Sequence, residues 1–169
     1  SASVTHAIVC SPTARHVGDF CRLADLGVRH VLLEKPIAGT LEDAARITET
    51  AGPKGIEVYT AYNMRYLPCF WQIRQFVRDH LHSMRIVEIS MGHYLPEWRP
   101  YKDYRLSYST RRSEGGGVDL DLSHEIDYMV WLFGLPAARQ ICRKKISTLE
   151  LDAPDFFAGF FDYGSFVAL

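Results

Sequence analysis

The sequence predicts an α/β layer built on a parallel sheet, followed by a second region of different architecture. Three observations carry this. Strand and helix signals alternate over the first sixty residues, the pattern then shifts to an amphipathic helix and a long strand, and the chain closes on two strands and a hairpin turn. The change of pattern divides the chain into residues 1–62 and 63–169.

In order, Val4 to Cys10 reads as a short buried strand, Arg15 to Leu26 as a helix closed by Gly27, and Val28 to Glu34 as a second strand. Thr40 opens a helix with Asp43 three residues on, and Gly52-Pro53 are read as its stop. Ile56 to Ala61 is a third strand, and this order implies right-handed crossovers between parallel strands. Pro68 to Leu81 reads as an amphipathic helix and Arg85 to Leu95 as a long strand. Pro96 to Gly117 follows as a long loop. Within the segment 115–134 a helix presents Leu122, Ile126, Met129, Val130 and Phe133 on one face, with Asp121, His124, Tyr128 and Trp131 opposite, and stops at Gly134. Arg139 to Thr148 and Phe156 to Phe161 read as strands, and Asp162 to Ser165 as a hairpin turn into a strand that has barely begun at Leu169.

Composition narrows the function classes. With 169 residues, 47% of them hydrophobic, the chain can bury one sizeable core or two small ones. A net charge of -1 gives no general attraction to nucleic acid or anionic membrane. No apolar run approaches the ~20 residues of a membrane span, and the first residues lack a basic leader, so a cytoplasmic protein is expected. Cys10, Cys21, Cys69 and Cys142 form no C-x-x-C pair and read as structural thiols, and no metal site is expected.

Chemistry is suggested in three places. Glu34-Lys35-Pro36 falls where the second strand ends, and ligands of open parallel sheets bind at carboxyl ends. Pro36 stiffens the exit, which aims the Lys35 ammonium; a solvated ion pair is the equal alternative. The long loop interleaves Arg99, Lys102, Arg105, Arg111 and Arg112 with Trp98, Tyr101, Tyr104 and Tyr108. Such a pattern suits a pocket for a polar, anion-bearing small molecule, a stacking surface for nucleic acid, or a merely solvated loop, and the neutral chain favours the pocket. Asp121 and His124 are three residues apart, near enough for the carboxylate to orient the imidazole, while Gly115 to Gly117 permit positive φ and close backbone approach.

Taken in order, "VTHAIVCSPTARH", "VLLEKPIAGTLEDA", "YNMRY", "GHYLPEWRPYKDY" and "GGGVDLDLSHEIDYMVWLFG" resemble the successive signatures of the glucose-fructose oxidoreductase, inositol dehydrogenase and MocA family. The resemblance runs over nearly the whole chain. It implies the C-terminal part of a Rossmann nucleotide-binding domain over 1–62. An incomplete α+β domain with a mostly antiparallel sheet, for substrate binding and self-association, follows over 63–169. The implied activity is hydride transfer between NAD or NADP and a hydroxyl carbon of a sugar, polyol or sugar derivative, by a homo-oligomer with no nucleic-acid or membrane partner.

Residue by residue, the resemblance makes Ser11, Pro12, Thr13, His16, Glu34, Lys35 and Asn63 cofactor contacts. Lys35 becomes the catalytic lysine, with a Lys35-Pro36 bond that is often cis, and His124 the general acid/base. Asp121 is its possible acidic partner, although many members carry that acid one residue earlier, where Leu120 stands here. Arg65, Tyr94, Trp98, Arg105 and His124 are the implied substrate contacts. The chemistry suits these groups: histidine titrates in the range needed to take a hydroxyl proton, and a fixed ammonium stabilises the developing alkoxide.

One departure stands out. A complete Rossmann domain opens with a strand, a G-x-G-x-x-G turn and a helix, and no such pattern occurs; the sole glycine cluster precedes the wrong helix. The sequence is therefore expected to begin at the fourth strand of that domain and to stop before the second sheet is complete, which leaves NAD against NADP open. A non-catalytic remnant that keeps ligand-holding or self-association surfaces is the alternative.

Overall fold

The computed structural model describes residues 4–169. Strands β1 (His6–Val9), β2 (His30–Leu33) and β3 (Glu57–Thr60) form a parallel sheet in the order β1-β2-β3. Val9 stands opposite Leu33, and Leu33 opposite Thr60, so the three strands end level and their following residues leave from one edge.

Helices α1 (His16–Asp25) and α2 (Leu41–Lys54) pack together against this sheet. Phe20, Val28, Val31, Leu33 and Ile47 are fully buried there, each worth about 1.5–3 kcal/mol of apolar transfer. A short 3-10 turn, Thr13–Arg15, precedes α1. At the start of α2 the Thr40 hydroxyl accepts the Asp43 N–H at 3.1 Å, the cap that the sequence announces. The expected stop at Gly52-Pro53 is displaced: Pro53 lies inside the last turn, and the helix closes at Gly55, which takes the left-handed conformation that a chiral residue avoids.

The second sheet contains β4 (Ile86–Val87), β5 (Ala138–Lys144), β6 (Phe156–Asp162) and β7 (Val167–Ala168), in the order β4-β7-β6-β5. β5, β6 and β7 are antiparallel neighbours, while β4 runs parallel to β7. Arg85 to Leu95 is thus not one long strand. Extended backbone gains a ladder only where a partner lies beside it, and the two residues of β7 are the partner available. Helix α3 (Pro68–His80) matches expectation to within one residue.

The long loop is built rather than irregular. A short helix α4 (Leu95–Trp98) leads into three 3-10 turns, Tyr104–Leu106, Tyr108–Thr110 and Arg112–Glu114. Asp103 and Ser107 cap two of these turns by accepting the N–H groups of Arg105 and Ser109.

The single helix expected within 115–134 is broken into α5 (Val118–Asp121) and α6 (Ser123–Phe133) at Leu122, whose ψ of 33° leaves helical geometry. The apolar face is as read: Met129 is buried against Phe161 and Ala168, with Val130 and Phe133 beside it. Among the described residues, no helix is long and apolar enough to cross a membrane.

The glycine cluster is where the two regions meet. Gly115, at φ +82°, lies against Thr13, and a Cβ there would sit 2.6 Å from the Thr13 Cβ. A Cβ on Gly116 would collide with the Tyr108 carbonyl oxygen and lie 2.6 Å from that of Ser109. The same substitution therefore has opposite signs at two glycines. Gly116→Ala should destabilise by roughly 1–3 kcal/mol through overpacking against backbone. Gly52→Ala, in open space within α2, should stabilise by about 0.5–1 kcal/mol. Urea midpoints of the two variants against wild type check the pair.

Candidate active site

A cleft of about 860 Å³ opens where β1 and β2 end. Its sheet side is lined by Cys10 to Thr13 and by Glu34 and Lys35. The opposite side comes from the long loop, including Trp98, Arg99, Lys102, Tyr104 and Tyr108, with Asp121 between the two. Ligand clefts of open parallel sheets occur at this edge because the loops that leave it are free of the ladder.

Lys35 is aimed by both of its neighbourhoods. Its bond to Pro36 is cis, as the resemblance implies, and the Glu34 carboxylate accepts its backbone N–H at 3.2 Å. Its ammonium donates to the Asp121 carbonyl at 2.5 Å, across 86 residues of sequence. The break at Leu122 makes that carbonyl available. In a continuous helix the Glu125 N–H would take it, whereas here that N–H turns to Leu122 at 3.4 Å. An ammonium has three donors, so two remain for a ligand.

His124 lies on α6 with its ring edge-on to Tyr62, centroids 5.8 Å apart. Partial burial and then the Lys35 charge hold it below the ordinary histidine range, against the weaker opposing pull of Asp127 and Glu34. A ring held neutral in this way is ready to accept a proton. Its Nδ1 is buried with no hydrogen-bond partner among the described residues.

The acid beside His124 differs from the expected one. Asp121 makes no hydrogen bond to the imidazole among the described residues; its carboxylate instead faces Tyr108, whose phenol is pushed up to about 12 by burial and then by that charge. The helix break takes Asp121 out of the register that would stack it beneath His124. Asp127, three residues after His124, is the carboxylate on the same helix that acts on the ring. The i, i+3 spacing in "HEID" was a signal for it.

Other expected site residues divide into two groups. Ser11, Pro12, Thr13, Glu34, Lys35, Asp121 and Trp98 line the cleft. His16, Asn63, Arg65, Tyr94, Arg105 and His124 do not form its wall. His16 is buried, its ring nitrogens 2.9 Å from the Ser11 carbonyl oxygen and 3.0 Å from that of Pro36, so it ties the turn after β1 to the segment after Lys35. Asn63 and Tyr94 are exposed. Arg65 is committed to Asp127 through two donors, at 2.8 and 2.5 Å. Arg105 is held by Asp103 and reaches Glu150. Conversely, Arg99, Lys102 and Tyr108, read only as part of a basic and aromatic loop, are cleft residues.

This arrangement, a parallel sheet whose strand ends carry an aimed lysine within electrostatic reach of a half-buried histidine, is that of part of a Rossmann-type layer joined to a second sheet. Comparison with known proteins agrees. Residues 1–62 match a family model described as an oxidoreductase family with an NAD-binding Rossmann fold. The scyllo-inositol 2-dehydrogenase (NADP(+)) of Bacillus subtilis is 26% identical over 165 residues, covering 96% of this chain and 44% of that enzyme. The D-xylose dehydrogenase of Paenarthrobacter nicotinovorans is 28% identical over 109 residues, 63% of this chain and 28% of that enzyme. In fold, the chain resembles the WlbA dehydrogenase of Bordetella pertussis, solved in complex with NADH and UDP-GlcNAcA, with a TM-score of 0.78 at 16% identity over 97% of this chain and 47% of that one. Over residues 1–62 the chain thus matches the Gfo/Idh/MocA oxidoreductase family. It spans less than half the length of these relatives.

The electrostatics around His124 can be measured directly. By NMR its ring should titrate below the ordinary histidine value of about 6.5. Lys35→Met removes the cation that disfavours imidazolium and should raise the midpoint, whereas Glu34→Gln removes an opposing anion and should lower it. A midpoint indifferent to both changes would separate His124 from Lys35.

Proposed function

We propose that this protein transfers hydride between a nicotinamide dinucleotide and a hydroxyl carbon of a sugar, polyol or sugar derivative. The observation that carries the reading is Lys35, delivered to the cleft by the end of β2 and held there by the Asp121 carbonyl, with His124 kept neutral within its electrostatic reach. Residues 1–62 then serve as part of a nucleotide-binding domain, and residues 63–169 as part of a domain for substrate binding and self-association. The exposed apolar side chains Phe156 and Phe160, on one face of the second sheet, suit self-association.

The residues fit such a cofactor. Ser11 to Thr13 and Glu34 stand at level strand ends on one wall of the cleft, which leaves the loop wall for a substrate. When bound, the cofactor supplies the hydride acceptor or donor. The chain's own groups handle charge and proton: the Lys35 ammonium hydrogen-bonds the reacting oxygen and stabilises negative charge on it, and the neutral His124 ring takes up the hydroxyl proton during oxidation and returns it during reduction. His16 keeps the two cofactor-side segments in register by its contacts to Ser11 and Pro36. The relatives named for inositol and xylose dehydrogenases support a polyhydroxylated substrate class.

In stopped-flow measurements of nicotinamide reduction on the intact protein, Lys35→Met and His124→Ala should each slow hydride transfer by roughly 10²-fold or more, with a smaller effect on cofactor affinity. Wild-type transfer in both variants would overturn the assignment.

A further inference from the structure

His124 is bracketed by groups that leave two neighbouring strands. Leu33 of β2 stands opposite Thr60 of β3, so Lys35 and Tyr62 leave the sheet level with each other. The Lys35 charge acts on the His124 ring from one strand end, and the Tyr62 ring meets it edge-on from the other. A 3-10 turn, Asn63–Tyr66, follows Tyr62 and carries Arg65. The Arg65 guanidinium stands 6.0 Å from the Tyr62 ring centre and donates to Asp127 of α6 from Nε at 2.8 Å and from Nη2 at 2.5 Å. Each donor takes a different carboxylate oxygen, and the Asp127 side chain is only 7% exposed. Both oxygens are therefore engaged in a planar, charge-assisted pair that water scarcely reaches.

That engagement bears on His124. Side chains three apart on a helix are neighbours, with about 5–6 Å between their Cβ atoms, so Asp127 stands within a rotamer change of the imidazole. Yet the His124 Nδ1 is buried without a hydrogen-bond partner among the described residues. The other groups around the ring are turned elsewhere. Lys35 donates to the Asp121 carbonyl, Glu34 accepts the Lys35 backbone N–H, and Glu125 lines a cavity against β6. Burial raises the Tyr62 phenol, and beyond that Asp127 and Arg65 act on it in opposite senses, as on a group standing beside both.

Resting on the function proposed above, we propose that Arg65 is a positioning residue for His124: by engaging both oxygens of Asp127 it withholds that carboxylate from the imidazole and leaves the ring without an acidic partner. A released Asp127 would stabilise imidazolium, and a ring already protonated cannot take up the hydroxyl proton. Arg65, a substrate contact by the resemblance, thus serves the site from behind the histidine.

The test follows the His124 ring by NMR titration in the intact protein. Arg65→Met should raise the midpoint, and Arg65→Lys, which keeps the charge and can still donate to Asp127, should bring most of it back. Asp127→Asn should lower the midpoint, and Arg65→Met added to Asp127→Asn should move it much less than Arg65→Met does alone. Lys144→Gln, exposed on β5, controls for net charge and should leave it unmoved. If Arg65→Met does not fold, Arg65→Gln takes its place and should also raise the midpoint. Nicotinamide reduction is then followed with D-xylose, an inositol and glucuronic acid as probes. On the one turned over fastest, Arg65→Met should cost roughly 3- to 10-fold at about pH 6, come within about twofold of wild type at about pH 9, and change the substrate KM less than about twofold.

An unchanged His124 midpoint in the Arg65 variants would overturn the inference. So would an equal rise with and without the Asp127 carboxylate, because the arginine charge would then act on the ring by itself. A loss in substrate KM at every pH with the midpoint unmoved would mark a substrate contact instead and overturn it too. Failure of the hydride-transfer reading looks different: no probe would turn over in wild type, yet the His124 midpoints would still move as stated.

Discussion

The arrangement of the cleft hangs on one bond, from the Lys35 ammonium to the Asp121 carbonyl. It joins the end of β2 to the junction of α5 and α6, and it needs three things at once. The parallel sheet must end level, so that Lys35 leaves at the cleft edge. The helix must break at Leu122, so that the Asp121 carbonyl is not consumed by its own helix. And the loop before α5 must come close to Thr13, which Gly115 permits because it carries no Cβ. An ammonium that bonds a neutral carbonyl keeps its full charge for whatever enters beside it, which an ion pair with a carboxylate would have cancelled.

Charge in this protein is managed by carboxylate partners both near and far in the chain. Arg65, Arg105 and Arg111 each carry a carboxylate partner, and for Arg105 and Arg111 that partner is two or three residues away. Exposed pairs of this kind contribute little to stability. Their effect is to decide which cations remain free. The Arg65–Asp127 pair is different in kind: Asp127 is nearly buried, and Arg65 meets it through two parallel donors, so it fixes the segment after β3 against α6 and sets a negative charge near His124.

Much of this was legible in the sequence. The alternation that gave β1, α1, β2, α2 and β3 is local, because strand and helix periods repeat within a few residues and each helix announces itself by its cap, as Thr40 does for α2. The apolar stripe through Met129, Val130 and Phe133 likewise reads from spacing alone. Glu34-Lys35-Pro36 stood out by its place at a strand end, with a solvated ion pair as the equal alternative. The long loop was harder to read, since its turns are short and rest on single capping side chains, Asp103 and Ser107, with no period to detect.

What the sequence determined by itself was therefore the order of elements, the buried face of each, and the residue types offered at the strand ends. Tertiary structure alone decided which offered groups meet. Spacing placed Asp121 beside His124, but a ψ change at Leu122 turned it toward Tyr108. Composition counted five cations in the loop, but Arg105 and Arg111 pair with Asp103 and Glu114, Arg112 is not part of the cleft wall, and Arg99 and Lys102 line it. The reason is physical. Helical and strand periods depend on neighbours a few residues away, whereas the partner of a side chain is settled by backbone bends and by approaches between segments distant in the chain, and these leave no periodic trace in the residues that make them.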